Sequence, residues 1–219
     1  MEAFPWICFA MAVVFASIRL LYPGALIGQK ALLLKPLAVT WLAVAGYLAG
    51  APAFLTLALF IASLVSFAQV LPGRAAQLYA VSASGLVPIV LLLLCRSLGA
   101  LPPWEAFAVM PLPAVLCLAA VLSIEIWLIP HAPAWPWPLR GYAGLVGFLI
   151  LATLTLPQTI AGLAIVGLAA VCFAGHAVLW AIAYARTSVG TSLHFRLLEL
   201  SWGFYFAALA AFFVGAGGL

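Results

Sequence analysis

The chain has 219 residues, of which 68% are hydrophobic and only 5% charged. Soluble domains carry about 25% charged residues, so the composition describes an integral membrane protein. The net charge of +4 comes from singly scattered basic residues with no basic stripe, which excludes a nucleic-acid-binding face.

Proline and glycine cut the chain into eight apolar segments, and the expected fold is all-α: one polytopic membrane bundle of eight transmembrane helices over residues 1–219. The first segment, 4–22, ends at Pro23-Gly24. The second, 32–49, is entered through Lys35-Pro36. The third, 52–71, closes at Pro72-Gly73-Arg74. The fourth, 76–95, ends at Arg96. The fifth, 107–129, lies between Pro102-Pro103 and Pro130. The sixth, 141–156, closes at Pro157. The seventh spans 159–185 and the eighth 197–216. Nothing basic precedes the first run, so a cleavable signal peptide is not expected.

Charge placement gives an orientation. With eight spans, Arg19, Lys30, Lys35, Arg74, Arg140, Arg186 and Arg196 fall on one side, and only Arg96 on the other. Such a bias places the basic side in the cytoplasm and both termini outside it. The expected location is a bacterial inner membrane. His131-Ala-Pro-Ala-Trp135-Pro-Trp137-Pro is expected as a connection with two interfacial tryptophans.

The seventh segment reads GLAIVGLAAVCFAGHAVLWAIAYAR and carries His176 near mid-depth. Small residues around it favour close helix approach. An ionisable group at that depth is costly to hold and marks either function or a bond to a neighbouring helix. The chain has no Asp, and its carboxylates are Glu2, Glu105, Glu125 and Glu199. Glu125, in VLSIEIWLIP, lies about one turn from the cytoplasmic edge. It reads either as a general acid or base, or as an ion-pair partner of Arg19 or Lys35. Glu199 follows Arg196 by the spacing of a same-face pair and is placed in the first turn of the eighth segment, where the helix dipole favours a carboxylate. Arg19 and Lys35 either snorkel or bind a phosphate headgroup. Tyr142, Tyr184 and Tyr205 serve as pocket donors or as packing residues. His194 is expected in a solvated connection.

No metal-ligand spacing, Walker motif, GxSxG elbow or deep lysine for a retinal is present, so neither a metal nor a cofactor is expected. Cys8, Cys95, Cys117 and Cys172 form no CxxC pair and read as small packing residues. No internal repeat supports a transporter of inverted halves.

Lys35-Pro36-Leu37 at the second segment, the His176 segment, and Trp202-Gly-Phe-Tyr205-Phe-Ala207 in the eighth come in this order within eight spans. In this the chain resembles the YhhN-like lysoplasmalogenases, multi-span hydrolases that cleave the vinyl-ether bond of lysoplasmalogens to an aldehyde and a glycerophospho-headgroup. The resemblance carries Lys35 and Tyr205 over as substrate-binding residues. The family's Gly-Asp in segment three is replaced by Val65-Ser66 or Ser66-Phe67, and its Ser-Asp in segment seven by Gly175-His176; its segment-four histidine is also missing.

The resemblance implies an ether hydrolase acting on a membrane lipid or another amphipathic substrate. In this chain Glu125 and His176 would replace the aspartates as the catalytic pair, with Lys35, Arg19, Tyr205 and Glu199 around the substrate. The same acid chemistry would serve isomerisation or cyclisation of an isoprenoid. The alternative is a non-catalytic member that binds a lipid or a partner protein.

Overall fold

The fold is that of a computed structural model, which describes residues 3–21, 33–71, 74–128, 136–157, 163–187 and 191–216. All regular structure among these is helical. The α-helices are α1 (Ala3–Leu21), α2 (Leu34–Leu48), α3 (Ala53–Val70), α4 (Arg74–Ser84) and α5 (Leu86–Ser97). A short 3-10 turn, Pro103–Glu105, then leads into α6 (Ala106–Val109) and α7 (Pro111–Ser123). A π-turn, Ile124–Leu128, follows. The chain ends with α8 (Pro136–Leu154), α9 (Leu163–Arg186) and α10 (Ser192–Ala216). Among the described residues, four stretches are long and apolar enough to cross a membrane: Ala3–Leu21, Ala53–Val70, Ile165–Arg186 and Ser192–Ala216.

Local sequence explains most boundaries. α2 and α5 end in the same way: Gly50 and Gly99 adopt positive φ, 69° and 94°. The next amides reach back, Ala51 to the Gly46 carbonyl and Ala100 to the Cys95 carbonyl, each at 3.0 Å. A following residue bonded so far back needs a left-handed turn, which glycine adopts without a Cβ clash.

The fourth and fifth segments, expected as single helices, are each interrupted. Between α4 and α5 the break falls at Gly85, where Pro88 has no N–H for the Ser84 carbonyl. Between α6 and α7, Met110 leaves the helical region (φ −136°, ψ 71°) because Pro111 disfavours a helical predecessor. α8 begins at Pro136 rather than near Gly141, and α10 at Ser192 rather than Leu197. The His131–Trp135 stretch and Lys30 lie outside the described residues.

Neighbour contacts run from α1 to α2, α3, α5, α8, α9 and α10, and α10 returns to α1. The first and last helices therefore close the bundle, with α7 packed outside on α8. The core is mostly alanine and leucine, with Phe173, Phe212 and Phe213 fully buried between α9, α10 and their neighbours. Gly175 faces Phe204: a Cβ there would meet the ring at 3.0 Å, so the packing of α9 on α10 depends on that small residue. Large apolar side chains such as Leu112, Leu116, Leu168 and Val171 are exposed on the outer surface. A lipid-facing perimeter requires that, and a water-facing one would not tolerate it. Polar groups inside are tied down locally: Thr40 donates to the Pro36 carbonyl and meets Ser63 Oγ, both at 2.7 Å.

Candidate functional site

Two polar centres stand out, and they divide the residues singled out in the sequence. The first is built on Glu199. α10 starts early enough that Glu199 lies about two turns inside it, so the helix-dipole argument for its charge fails. Its carboxylate is anchored across the bundle. Arg19 Nη2, from the end of α1, and Lys35 Nζ, from the start of α2, both donate to Glu199 Oε1 at 2.7 Å. Gly203, one turn further along α10, has Leu20 against it, where a Cβ would meet Leu20 Cδ2 at 3.1 Å. That close approach of α1 sets Arg19 within reach of Glu199. Lys35 Nζ also lies 5.5 Å from the Trp202 ring centroid, within cation–π range.

Arg196, expected to pair with Glu199, is exposed, and the ion pairs of Glu199 go to Arg19 and Lys35. A groove of about 500 Å³ runs along this centre, lined by Arg19, Leu20, Phe195, Arg196, Glu199 and Leu200. Two cations, Arg19 and Lys35, thus pair with one carboxylate, and a third, Arg196, lines the groove beside it. Glu199 Oε2 and Arg19 Nε are buried without hydrogen-bond partners among the described residues, so the cluster still has capacity for an acceptor and a donor.

The second centre is built on His176 in α9. Its Nδ1 lies 2.9 Å from the Ser201 carbonyl oxygen and 2.7 Å from Ser201 Oγ. A carbonyl can only accept, so Nδ1 carries the proton and Nε2 presents a lone pair. The Ser201 hydroxyl donates to the His176 carbonyl at 3.0 Å, closing a reciprocal clasp between α9 and α10. Aromatic rings enclose the imidazole. Tyr205 lies 5.1 Å away and Tyr142 5.6 Å away, centroid to centroid, and Trp180 runs parallel at 6.3 Å.

Glu125 joins neither centre. It lies in the π-turn, and its Oε2 meets Arg140 Nε at 3.3 Å, so its ion pair is with Arg140 and not with Arg19 or Lys35. His194 is not solvated. It sits in the first turn of α10, 3% exposed, with Nδ1 3.0 Å from the Ala183 carbonyl and 2.9 Å from Thr187 Oγ1. Thr191 Oγ1 caps this helix by accepting from the His194 amide at 3.2 Å. Among the described residues, no three His, Cys, Asp or Glu side chains gather as metal ligands would.

Sequence reasoning did not single out Ser201 or the Glu125–Arg140 pair. Ser201 carried a signal: it is a polar residue two positions beyond Glu199, inside an apolar run.

The fold and its two centres define an all-helical membrane protein with a cationic groove and a clasped histidine inside the bundle. Compared with known proteins, the chain matches no family model, no curated protein and no solved structure.

Proposed function

We propose that the chain is an eight-span membrane protein that holds an anionic amphiphile, with its headgroup at Arg19, Lys35 and Arg196 and its tail along Leu20, Phe195 and Leu200. The carrying observation is the charge imbalance: Arg19 and Lys35 share one carboxylate, and Arg196 adds a third cation to the apolar-walled groove beside it. A phosphate or carboxylate headgroup would offset the excess charge, and Glu199 Oε2 would accept a donor from the same headgroup.

Eight spans are supported by the interrupted rods. Arg74–Ser97 and Ala106–Leu128 are interrupted, and each has about the 20 residues or more that a span needs. The positive-inside bias then puts the groove on the cytoplasmic side of an inner membrane, with both termini on the opposite side. Reporter fusions at each terminus check this; a cytoplasmic signal from either contradicts it.

The binding test uses lipid mass spectrometry on the purified full chain. An anionic phospholipid is expected to co-purify in near-stoichiometric amount. It should be lost from Arg196→Gln, which removes groove charge without touching the Glu199 ion pairs, and from Leu200→Trp, which fills the groove. Wild-type lipid content in both variants would defeat the reading.

A second reading is lysoplasmalogenase-type hydrolysis on a YhhN-like scaffold. One observation favours it: Nε2 of His176 is left unprotonated as an acceptor inside the bundle. The chemistry needs a proton delivered to the vinyl-ether carbon, then water addition to the oxocarbenium ion, and the hemiacetal collapses to an aldehyde and an alcohol. Glu125 would be the acid, once released from Arg140. Incubation with lysoplasmalogen tests it directly: the reading requires aldehyde release, and its absence at high protein concentration discards it.

A further inference from the structure

We infer that His176, Tyr142 and Tyr205 form a binding site, separate from the cationic groove, for an uncharged hydroxyl group carried on an apolar molecule. Three helices supply it: Tyr142 from α8, His176 from α9 and Tyr205 from α10. Both tyrosine rings touch the imidazole, at 5.1 and 5.6 Å between centroids. Both phenolic oxygens are buried, and neither has a hydrogen-bond partner among the described residues. Leaving a buried hydroxyl unpaired is costly, and paired hydroxyls are the rule in folded interiors, so two such groups beside one imidazole indicate a bound partner. The Ser201 clasp takes up Nδ1 and leaves Nε2 as an acceptor.

The centre thus offers two O–H donors and one nitrogen acceptor, and no charge. An alcohol matches that set: its oxygen accepts from Tyr142 and Tyr205, and its hydrogen is donated to His176 Nε2. A carboxylate or phosphate would face the Nε2 lone pair with no proton to give. An ether or ester would satisfy the tyrosines but leave Nε2 unpaired. The surrounding Phe173 and Trp180 suit an apolar body. The proposed occupant is a neutral alcohol on an apolar body; a bound water would satisfy the same three groups, and competition by the alcohol separates the two.

The test uses a diazirine-bearing long-chain alcohol as photoprobe on the purified full chain, with labelled peptides mapped by mass spectrometry. Labelling is expected on α8, α9 or α10, competed by 1-hexadecanol and about tenfold less well by its methyl ether, the loss of one hydrogen bond. His176→Phe should abolish that preference for the alcohol. The double variant Tyr142→Phe, Tyr205→Phe should weaken 1-hexadecanol competition by at least tenfold. A thermal melt of each variant establishes that it is folded. If the double variant melts early, the single variants Tyr142→Phe and Tyr205→Phe replace it: each removes one donor and should weaken 1-hexadecanol competition. Equal competition by alcohol and ether overturns the inference. So does unchanged competition in the folded tyrosine double variant, since the hydroxyls would then serve only bound water. Arg196→Gln should leave this labelling intact, so failure of the cationic-groove reading would be separately visible.

Discussion

Arg19 and Glu199 are 180 positions apart in the chain, and their side chains meet at 2.7 Å. This contact joins the last turn of the first helix to the last helix, at the point where the ring of helices closes. Lys35 reaches the same carboxylate oxygen, so a single anion holds three elements together.

Glu199→Gln leaves two cations facing each other with no anion between them. Breaking a largely buried pair in this way costs about 3 kcal/mol. Arg19→Gln should cost less, because Lys35 still pairs with Glu199. The two effects separate in detergent thermal melts, where the order of melting temperatures should be wild type, Arg19→Gln, Glu199→Gln. The proposed lipid site predicts an opposite trend in affinity. Removing the carboxylate raises the positive excess, so Glu199→Gln should retain anionic phospholipid more tightly while melting earlier. Weaker retention in a folded Glu199→Gln protein would count against a headgroup held by these cations.

Glu125 and Arg140 are both part-exposed, with side-chain exposures of 27% and 40%. A pair so open to its surroundings is worth at most about 1 kcal/mol. Glu125→Gln is therefore expected to melt within a few degrees of wild type and to keep its bound anionic lipid. If the chain hydrolyses a vinyl ether with Glu125 as acid, the same variant loses turnover without losing lipid. Lipid content and aldehyde release, measured side by side, assign this residue to chemistry or to structure.

Much of this architecture was legible in the sequence, because apolar runs and proline–glycine punctuation are local signals. Each of the eight apolar segments corresponds to a helix or to an interrupted run of helix. The breaks themselves come from Pro88 and Pro111, which lie inside their apolar runs and do not lower the hydropathy that marks a segment. The cluster of Arg19, Lys35 and Glu199 was partly legible, since all three are charges at segment ends on one proposed side. Their mutual pairing was not, because Arg196 offers an equally good local partner and only the closure of α10 on α1 and α2 decides between them. The His176–Ser201 clasp depends on the rotation of two adjacent helices, and one sequence read by segment gives no such phase.

The α7–α8 contact should be sensitive to a single methyl group. A Cβ on Gly147 would come within 2.7 Å of Val121 Cγ2, and Cys117 Sγ lies 3.7 Å from the Gly147 carbonyl oxygen. Valine is held in few rotamers, so the strain cannot be relieved by a simple swing of the side chain. Gly147→Ala gains about 1 kcal/mol of helix propensity, against overpacking of about 1–3 kcal/mol. The expected net effect is a loss of stability, and Val121→Ala combined with Gly147→Ala should recover it. Measured melting temperatures of the single and double variants decide the matter, and a stabilised Gly147→Ala would show that α7 moves outward freely.

His194 joins the end of α9 to the beginning of α10. Its Nδ1 lies within hydrogen-bond distance of the Ala183 carbonyl, one of the carbonyls that the last turn of α9 leaves without a helical partner. Thr187 Oγ1 donates to the same carbonyl and sits 2.9 Å from the imidazole, while Tyr184 packs edge-on against the ring at 5.4 Å. A solvated histidine would tolerate replacement, but a 3% exposed one in this network does not. His194→Ala removes the hydrogen bond and the ring packing, and should cost about 2 kcal/mol. His194→Asn keeps a donor near the Nδ1 position and should recover part of that. Thermal melts of the two variants test the assignment. A His194→Ala protein as stable as wild type would mean that the cap and the Thr187 bond hold the α9–α10 junction without the imidazole.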